Sequence, residues 1–298
     1  IWCIRGDNMN IIKNRKIFYC ISLAIIIAGL ITFMVKGLNY GIDFTGGTSI
    51  QIKIGKMITV DEAREVMNAY DKEASIVHVG NQKDEIIIKS NKDFNNDETD
   101  EIVNKFVEKF DIKDREFGSE KFESTMGKEI KKKALTSSLI VAIGMLIYIT
   151  WRFEFKFALA AIIALVHDVL IMLSIYAIFR IPANSSFIAA ILTILGYSIN
   201  DTIVIFDRIR EETRLNPRAS VEDSINHSIK KSLKRTINTS LTTLLAVVIL
   251  YIIGVEDVKV LALPLIFGII SGTYSSLFIA SPLWYALKNR ENLKIRKA

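Results

Sequence analysis

Apolar residues in this chain gather in long uninterrupted blocks. Six blocks, at residues 17–35, 134–151, 157–179, 183–206, 236–255 and 260–287, are long enough to cross a hydrocarbon layer of about 30 Å. The first carries no charge, is long for a signal-peptide core and is followed by no small-residue cleavage site, so it reads as an anchor. Between the first two blocks the pattern changes. Residues 48–54 alternate apolar and polar, as a half-buried strand does. Residues 59–70 read as a helix, with Thr59 as N-cap and Glu62 completing a capping box. Residues 75–79, 85–89 and 115–122 read as strands and 98–110 as a helix. The order β-α-β-β-α-β predicts a ferredoxin-like unit. From Thr125 the chain turns helical and runs into the second block. The expected fold class is an α-helical membrane bundle of six transmembrane helices with a small α+β ferredoxin-like extracytoplasmic domain.

Short-loop cations set the orientation, because cytoplasmic loops collect Lys and Arg. Lys13, Arg15 and Lys16 precede the first span, and Arg152 and Lys156 separate the second from the third. Arg208, Arg210, Arg214, Arg218, Lys230, Lys231, Lys234 and Arg235 lie between the fourth and fifth. Lys288, Arg290, Lys294, Arg296 and Lys297 follow the sixth, whereas the opposite short loops hold only Arg180 and Lys259. The expected layout is a cytoplasmic N-terminus (1–16), a first span (17–35), an outer domain (37–125), spans two to six (134–287) and a cytoplasmic tail (288–298). Residues 207–235 form a cytoplasmic segment between spans four and five. Within it, Val221, Ile225, Ile229 and Leu233 recur at helical spacing, which predicts an amphipathic helix over 220–235, lying along the membrane surface and attracting anionic lipid.

The sequence pI is about 9.1, with a net charge of +6, which can signal nucleic-acid binding. Its distribution says otherwise. Residues 37–133 hold 16 Lys and Arg against 20 Asp and Glu, and the excess sits beside apolar blocks where topology explains it. The two cysteines, Cys3 and Cys20, have neither disulfide nor metal spacing. Residues 1–8 precede Met9, a plausible natural start, and stay outside the fold argument.

Ionisable groups inside spans are the first candidates for function, since a carboxylate at mid-bilayer costs roughly 2.5–3.5 kcal/mol on insertion scales. Three such groups stand out: His167, Asp168 and Asp201. In span four, Thr193, Tyr197, Asn200 and Asp201 fall within about a third of the helix circumference, and Arg208 continues the stripe. A polar stripe inside a bundle is what an ion path requires. The competing reading is that Asp201 merely hydrogen-bonds a neighbouring helix or stays protonated permanently, and that His167 or a backbone group satisfies Asp168. Gly41-Ile-Asp-Phe-Thr-Gly-Gly-Thr48 nearly matches a phosphate-binding loop, but Gly47 stands where the lysine must be; its glycines are expected to make a tight lead into the first strand. Gly268, Gly272 and Ser276 give span six a small-residue packing face. Zinc spacings, nucleophile–base sets and nucleophile elbows are lacking. No metal, cofactor or catalytic residue is expected, and the chain is not read as an enzyme.

Two motifs resemble a known family. Gly41, Asp43, Gly46 and Gly47 after span one, and Leu195-Gly-Tyr-Ser-Ile-Asn-Asp-Thr-Ile-Val-Ile-Phe-Asp-Arg-Ile-Arg-Glu211 in span four, resemble the SecD/SecF family, the latter its SecF branch. His167-Asp-Val169 and Lys234-Arg-Thr-Ile-Asn-Thr-Ser240 fit the same family, and the outer region is smaller than that of SecD. The family is related to the resistance-nodulation-division transporters. The resemblance implies a subunit that pairs with SecD, associates with the SecYEG channel and promotes preprotein export across the bacterial cytoplasmic membrane, using the ion gradient. By matching position it implies Asp201 as the ion-carrying acid and Arg235 as its basic partner; Asp168 fits the pattern without an assigned role. Two other readings stay open: half of a small-molecule exporter, and a purely structural channel subunit. The coupling ion, proton or sodium, is open as well.

The orientation is directly testable. With Cys3 and Cys20 replaced by serine, Asn95→Cys is expected to react with an impermeant thiol reagent from outside the cell and Asn216→Cys is not; the opposite pattern would invert the topology.

Overall fold

The structure, a computed structural model, describes residues 10–80, 84–112 and 115–295. Cys3, Arg296 and Lys297 lie outside these residues, as does the segment before Met9. Six helical spans, Arg15–Lys36, Gly127–Arg152, Phe155–Ile178, Ser185–Leu215, Val221–Ile253 and Val258–Asn289, are long and apolar enough to cross a membrane. A four-stranded antiparallel domain lies between the first and second.

Helix α1 (Arg15–Lys36) leads into the single turn α2 (Ile42–Thr45) and strand β1 (Gly47–Lys53). Helix α3 (Val60–Met67), strands β2 (Ser75–Val79) and β3 (Glu85–Ser90), helix α4 (Asn96–Phe110) and strand β4 (Phe117–Phe122) complete the domain. The sheet order β2-β3-β1-β4 is the ferredoxin-like arrangement. Alternation does the sorting: Ile50 and Ile52 of β1 stand opposite Ile88 and Ile86 of β3, on the face covered by α3 and α4. Ala63, Met67, Ile102, Val103 and Phe106 close that core. Thr59 caps α3 through the expected capping box, and its backbone N–H and hydroxyl hold the Glu62 carboxyl below the usual carboxylate range. A second box, Asn95 with Glu98, starts α4.

Gly46 and Gly47 make the turn into β1 at φ 79° and 139°, a region open to glycine. A side chain at Gly47 would also strike the Ser90 carbonyl. Ahead of them, Gly41 N–H donates to the Ala183 carbonyl at 2.7 Å, and Ala183 N–H returns a bond to Asn39 at 2.7 Å. The strand thus begins anchored to the bundle rather than hanging from it.

Helices α5 (Ser124–Arg152), α6 (Phe155–Ile178), α7 (Ser185–Leu215), α8 (Val221–Ile253) and α9 (Glu256–Ser275) follow, and a π-turn (Ser276–Ala280) joins α9 to α10 (Ser281–Ile295). About half of the apolar stretch is buried in α6, α7 and the α9–α10 rod, against 6% in α5 and 11% in α1. Glycine sets the closest approaches: a side chain at Gly268 or Gly272 would collide with Ile194 or press on Ser198 of α7, and one at Gly29 of α1 would collide with Ser174 of α6. Arg180, with φ 55°, donates to the carbonyls of Lys36 and Gly37 at 3.1 and 2.7 Å, closing the end of α1. A cleft of about 490 Å³ separates the open face of the sheet from the bundle, with Asp43, Lys89, Tyr176, Asn184 and Lys259 along its walls.

The amphipathic segment differs from expectation. Residues 207–215 belong to α7, and from Val221 the chain forms one helix that runs on through span five. Its apolar positions Ile225 and Ile229 are fully buried in a cluster with Phe206 and Ile209 of α7 and with Ile11 and Ile12 of the N-terminal segment. The face expected to lie on lipid therefore packs on protein. The side chain of Asn226 holds that segment by accepting from the N–H groups of Ile11 and Ile12 at 3.0 and 3.3 Å.

One packing prediction follows from α5. Gly127 sits against the Phe44 backbone, so Gly127→Ala is expected to lower stability by about 1–3 kcal/mol. Gly144→Ala, with open space around it, is expected to be neutral; melting temperatures in detergent check both.

Candidate functional site

Asp168 is 1% exposed at the middle of α6. Ser198 of α7 donates to its Oδ2 at 2.7 Å, Ser275 of α9 to the same oxygen at 2.8 Å, and Ser271 of α9 to Oδ1 at 2.8 Å. The Nδ1 of His167 lies 3.2 Å from Oδ1, and its Nε2 lies 2.8 Å from the Ser22 hydroxyl of α1. Six polar side chains from four helices thus form one buried cluster. His167 is one contributor to it, and the three serines carry most of the contacts.

Asp201, 4% exposed, lies one helical turn from Ser198 on α7. Its Oδ2 accepts from Ser240 of α8 at 3.2 Å, and Ser240 Oγ accepts in turn from Thr273 of α9 at 2.7 Å. The carboxylate sits at the junction of α7, α8 and α9, with a single hydrogen bond among the described residues. Thr202 beside it meets Ser276 at 2.8 Å, at the first residue of the π-turn. Arg235 is within electrostatic reach of Asp201 but is exposed, and the two form no ion pair.

The stripe on α7 splits. Asp201 turns inward, and Tyr197 donates its hydroxyl to the Thr239 carbonyl at 3.3 Å. Thr193 and Asn200 are exposed on the surface of this chain. The glycine-rich motif reaches the same helix from its other end. The carboxylate of Asp43 accepts from Ser185 N–H, the first residue of α7, at 2.9 Å, while Asn184 caps Phe187 N–H at 3.1 Å. Asp43 thus meets the positive end of the α7 dipole. Sequence reasoning singled out Asp43 by motif and missed this contact, because nothing local places residue 43 beside residue 185. It also missed Ser22, Ser271 and Ser275, and took Ser198 and Ser240 only as members of longer motifs, not as partners of the acids. Ser271 and Ser275 could have been flagged, since residues four apart share a helix face.

Residues 102–290 match the family described as protein export membrane protein SecD/SecF, C-terminal, and residues 31–56 match the SecD/SecF GG motif. A protein translocase subunit SecF from Petrotoga mobilis is 38% identical over 98% of this chain and 99% of its own length. The SecDF of Bacillus subtilis is 36% identical over 94% of this chain but only 38% of itself. A crystal structure of SecDF from Thermus thermophilus, described as a translocon-associated membrane protein, superposes with a TM-score of 0.82 at 32% identity. The alignment covers 97% of this chain and 40% of that one, so this chain spans about two fifths of the fused protein. The chain belongs to the SecD/SecF family of protein-export membrane proteins, on its SecF side.

Proposed function

We propose that this chain is the ion-driven half of a preprotein export motor: it works with SecD beside the SecYEG channel in the bacterial cytoplasmic membrane, and both termini are cytoplasmic. The observation that carries the reading is the position of Asp201. It is a buried carboxylate with one hydroxyl partner at the meeting of three helices, on the helix whose opposite end is capped by Asp43 of the domain. A proton or sodium ion arriving at Asp201 removes a charge from that junction and changes how α7, α8 and α9 pack. One charge crossing the membrane gains about 2.3 kcal/mol per 100 mV, enough to bias a motion between states a few kcal/mol apart. Asp43 passes the displacement of α7 to the start of β1, and the cleft under the sheet gives the domain room to move against emerging preprotein. Asp168, whose oxygens are filled by four neighbours, is the fixed carboxylate that keeps α6, α7 and α9 in register.

The fused relatives and the exposed polar residues Thr193 and Asn200 support SecD as partner, since such residues inside a membrane call for a protein neighbour. Lys234 and Arg235 on the exposed face of α8 suit anionic lipid headgroups.

At fixed ATP, with only the ion gradient varied, Asp201→Asn is expected to abolish gradient-driven export while leaving assembly with SecD intact. Asp201→Glu keeps part of the activity, and Arg235→Lys outperforms Arg235→Met because long-range charge matters here more than fork geometry. A full gradient response in Asp201→Asn would favour a purely structural subunit. Gly47 and Phe122 are paired neighbours, so a short linker can replace residues 48–121. That variant is expected to insert and bind SecD but to lose export stimulation; retained stimulation would show that the domain is not the working part.

A further inference from the structure

We propose that protons leave Asp201 for the cytoplasm along a hydroxyl-lined seam between α7 and α8, an inference that rests on the ion-driven reading above. Ser240, the partner of Asp201, is one of five buried hydroxyl side chains at every fourth position of α8: Ser224, Ser228, Ser232, Thr236 and Ser240. Residues four apart are neighbours on a helix surface, so the five form a continuous ridge, inclined to the helix axis and roughly 24 Å long at 1.5 Å per residue. Past Ser240 the same spacing brings Leu244 and then, near it, Val247, both packed in an apolar cluster. The helix is therefore polar on the cytoplasmic side of Asp201 and apolar on the other.

Two polar atoms along this stretch are buried with no partner among the described residues: Thr236 Oγ1 and Arg208 Nε. Arg208 belongs to α7, and its carbonyl accepts from Ser228 at 3.2 Å across the seam. A buried polar atom left unpaired is costly, and valine would fill the space of Thr236 without that cost. A hydroxyl retained there is suited to hold water. Neighbouring side chains in the line are about 5–6 Å apart, a gap that one bridging water spans.

The line ends at a cleft of about 490 Å³ bordered by Ser224, Glu212, Asn216, Asp223 and His227. Glu212 is buried there, accepts from Asn216 at 2.6 Å and Lys231 at 3.0 Å, and lies 3.8 Å from His227. Protons move by relay. The acid of Asp201 gives its proton to the Ser240 oxygen as Ser240 gives its own to the next water, and each later group accepts one proton and donates one. The last water delivers a proton to the groups around the cleft, and Asp201 remains as carboxylate.

The competing account is that the serines are there for close packing, as the bond from Ser228 to the Ser224 carbonyl at 2.7 Å illustrates. Thr236→Val separates the two, because it keeps the shape and removes only the hydroxyl. Both accounts expect an unchanged or higher melting temperature. The relay expects gradient-driven export to fall about tenfold or more, with ATP-driven export unchanged and Thr236→Ser active. In a cysteine-free chain, Ser232→Cys and Thr236→Cys are expected to react with a small cationic thiosulfonate added from the cytoplasmic side, and Leu244→Cys is not. A full gradient response in Thr236→Val, with Ser232→Cys and Thr236→Cys as unreactive as Leu244→Cys, overturns the seam and leaves Asp201 as carrier. A full response in Asp201→Asn overturns both.

Discussion

Inside hydrocarbon a carboxylate must have its lone pairs filled by neighbouring donors, because no water is present to fill them. Serine is a short donor, so helices that satisfy Asp168 with Ser198, Ser271 and Ser275 have to lie close together. Gly268 and Gly272 of α9 permit that approach against α7. Tight packing and buried polarity are thus one requirement met twice, and they explain why α6, α7 and α9 form the centre while α1 and α5 stay peripheral. Asp201 is a contrast under the same constraint. With one hydroxyl at 3.2 Å it is the less satisfied of the two acids and the more responsive to a change of charge.

The domain is fastened to helix ends, the places where backbone groups lack partners within the helix. Asp43 supplies an anion at the start of α7, and Arg180 supplies a cation at the end of α1. Each bond matches the sign of the local helix dipole. A helix end held in this way transmits a shift along its axis better than a flexible linker does, since the linker takes up the displacement as disorder.

Much of the fold was legible because period and length are local properties. The alternation around Ile50 and Ile52 and the capping box at Thr59 placed the starts of their elements within a residue, though α3 ends three residues earlier than read. Strand β4 begins two residues later than the 115–122 reading, because nearly all of it is exposed, leaving little alternation to mark its start. The segment from Val221 misled for a related reason. An amphipathic helix looks the same whether its apolar face meets lipid or protein, and Phe206 and Ile209 of α7 with Ile11 and Ile12, far back in the sequence, decide between them. Of the site, the acids were legible because charge is conspicuous in an apolar span. Their hydroxyl partners were not, since serine in a membrane helix usually satisfies itself on its own backbone, and which serines do otherwise depends on the neighbouring helix.

The π-turn at Ser276–Ala280 adds one residue to a turn of the last span, between the part of α9 that bonds Asp168 and reaches Asp201 through Ser240, and the part that packs Trp284 against Phe157 at 4.4 Å. Such a bulge makes the rod tolerant of a change in length at one place. Removing one residue there would restore α-helical geometry and leave both flanks where they are, whereas losing a residue from a plain α-helix turns everything beyond it by about 100°, one residue's rotation at 3.6 residues per turn. The two ends of the span therefore keep their own neighbours, Asp168 on one side and Phe157 on the other, whether or not that residue is present.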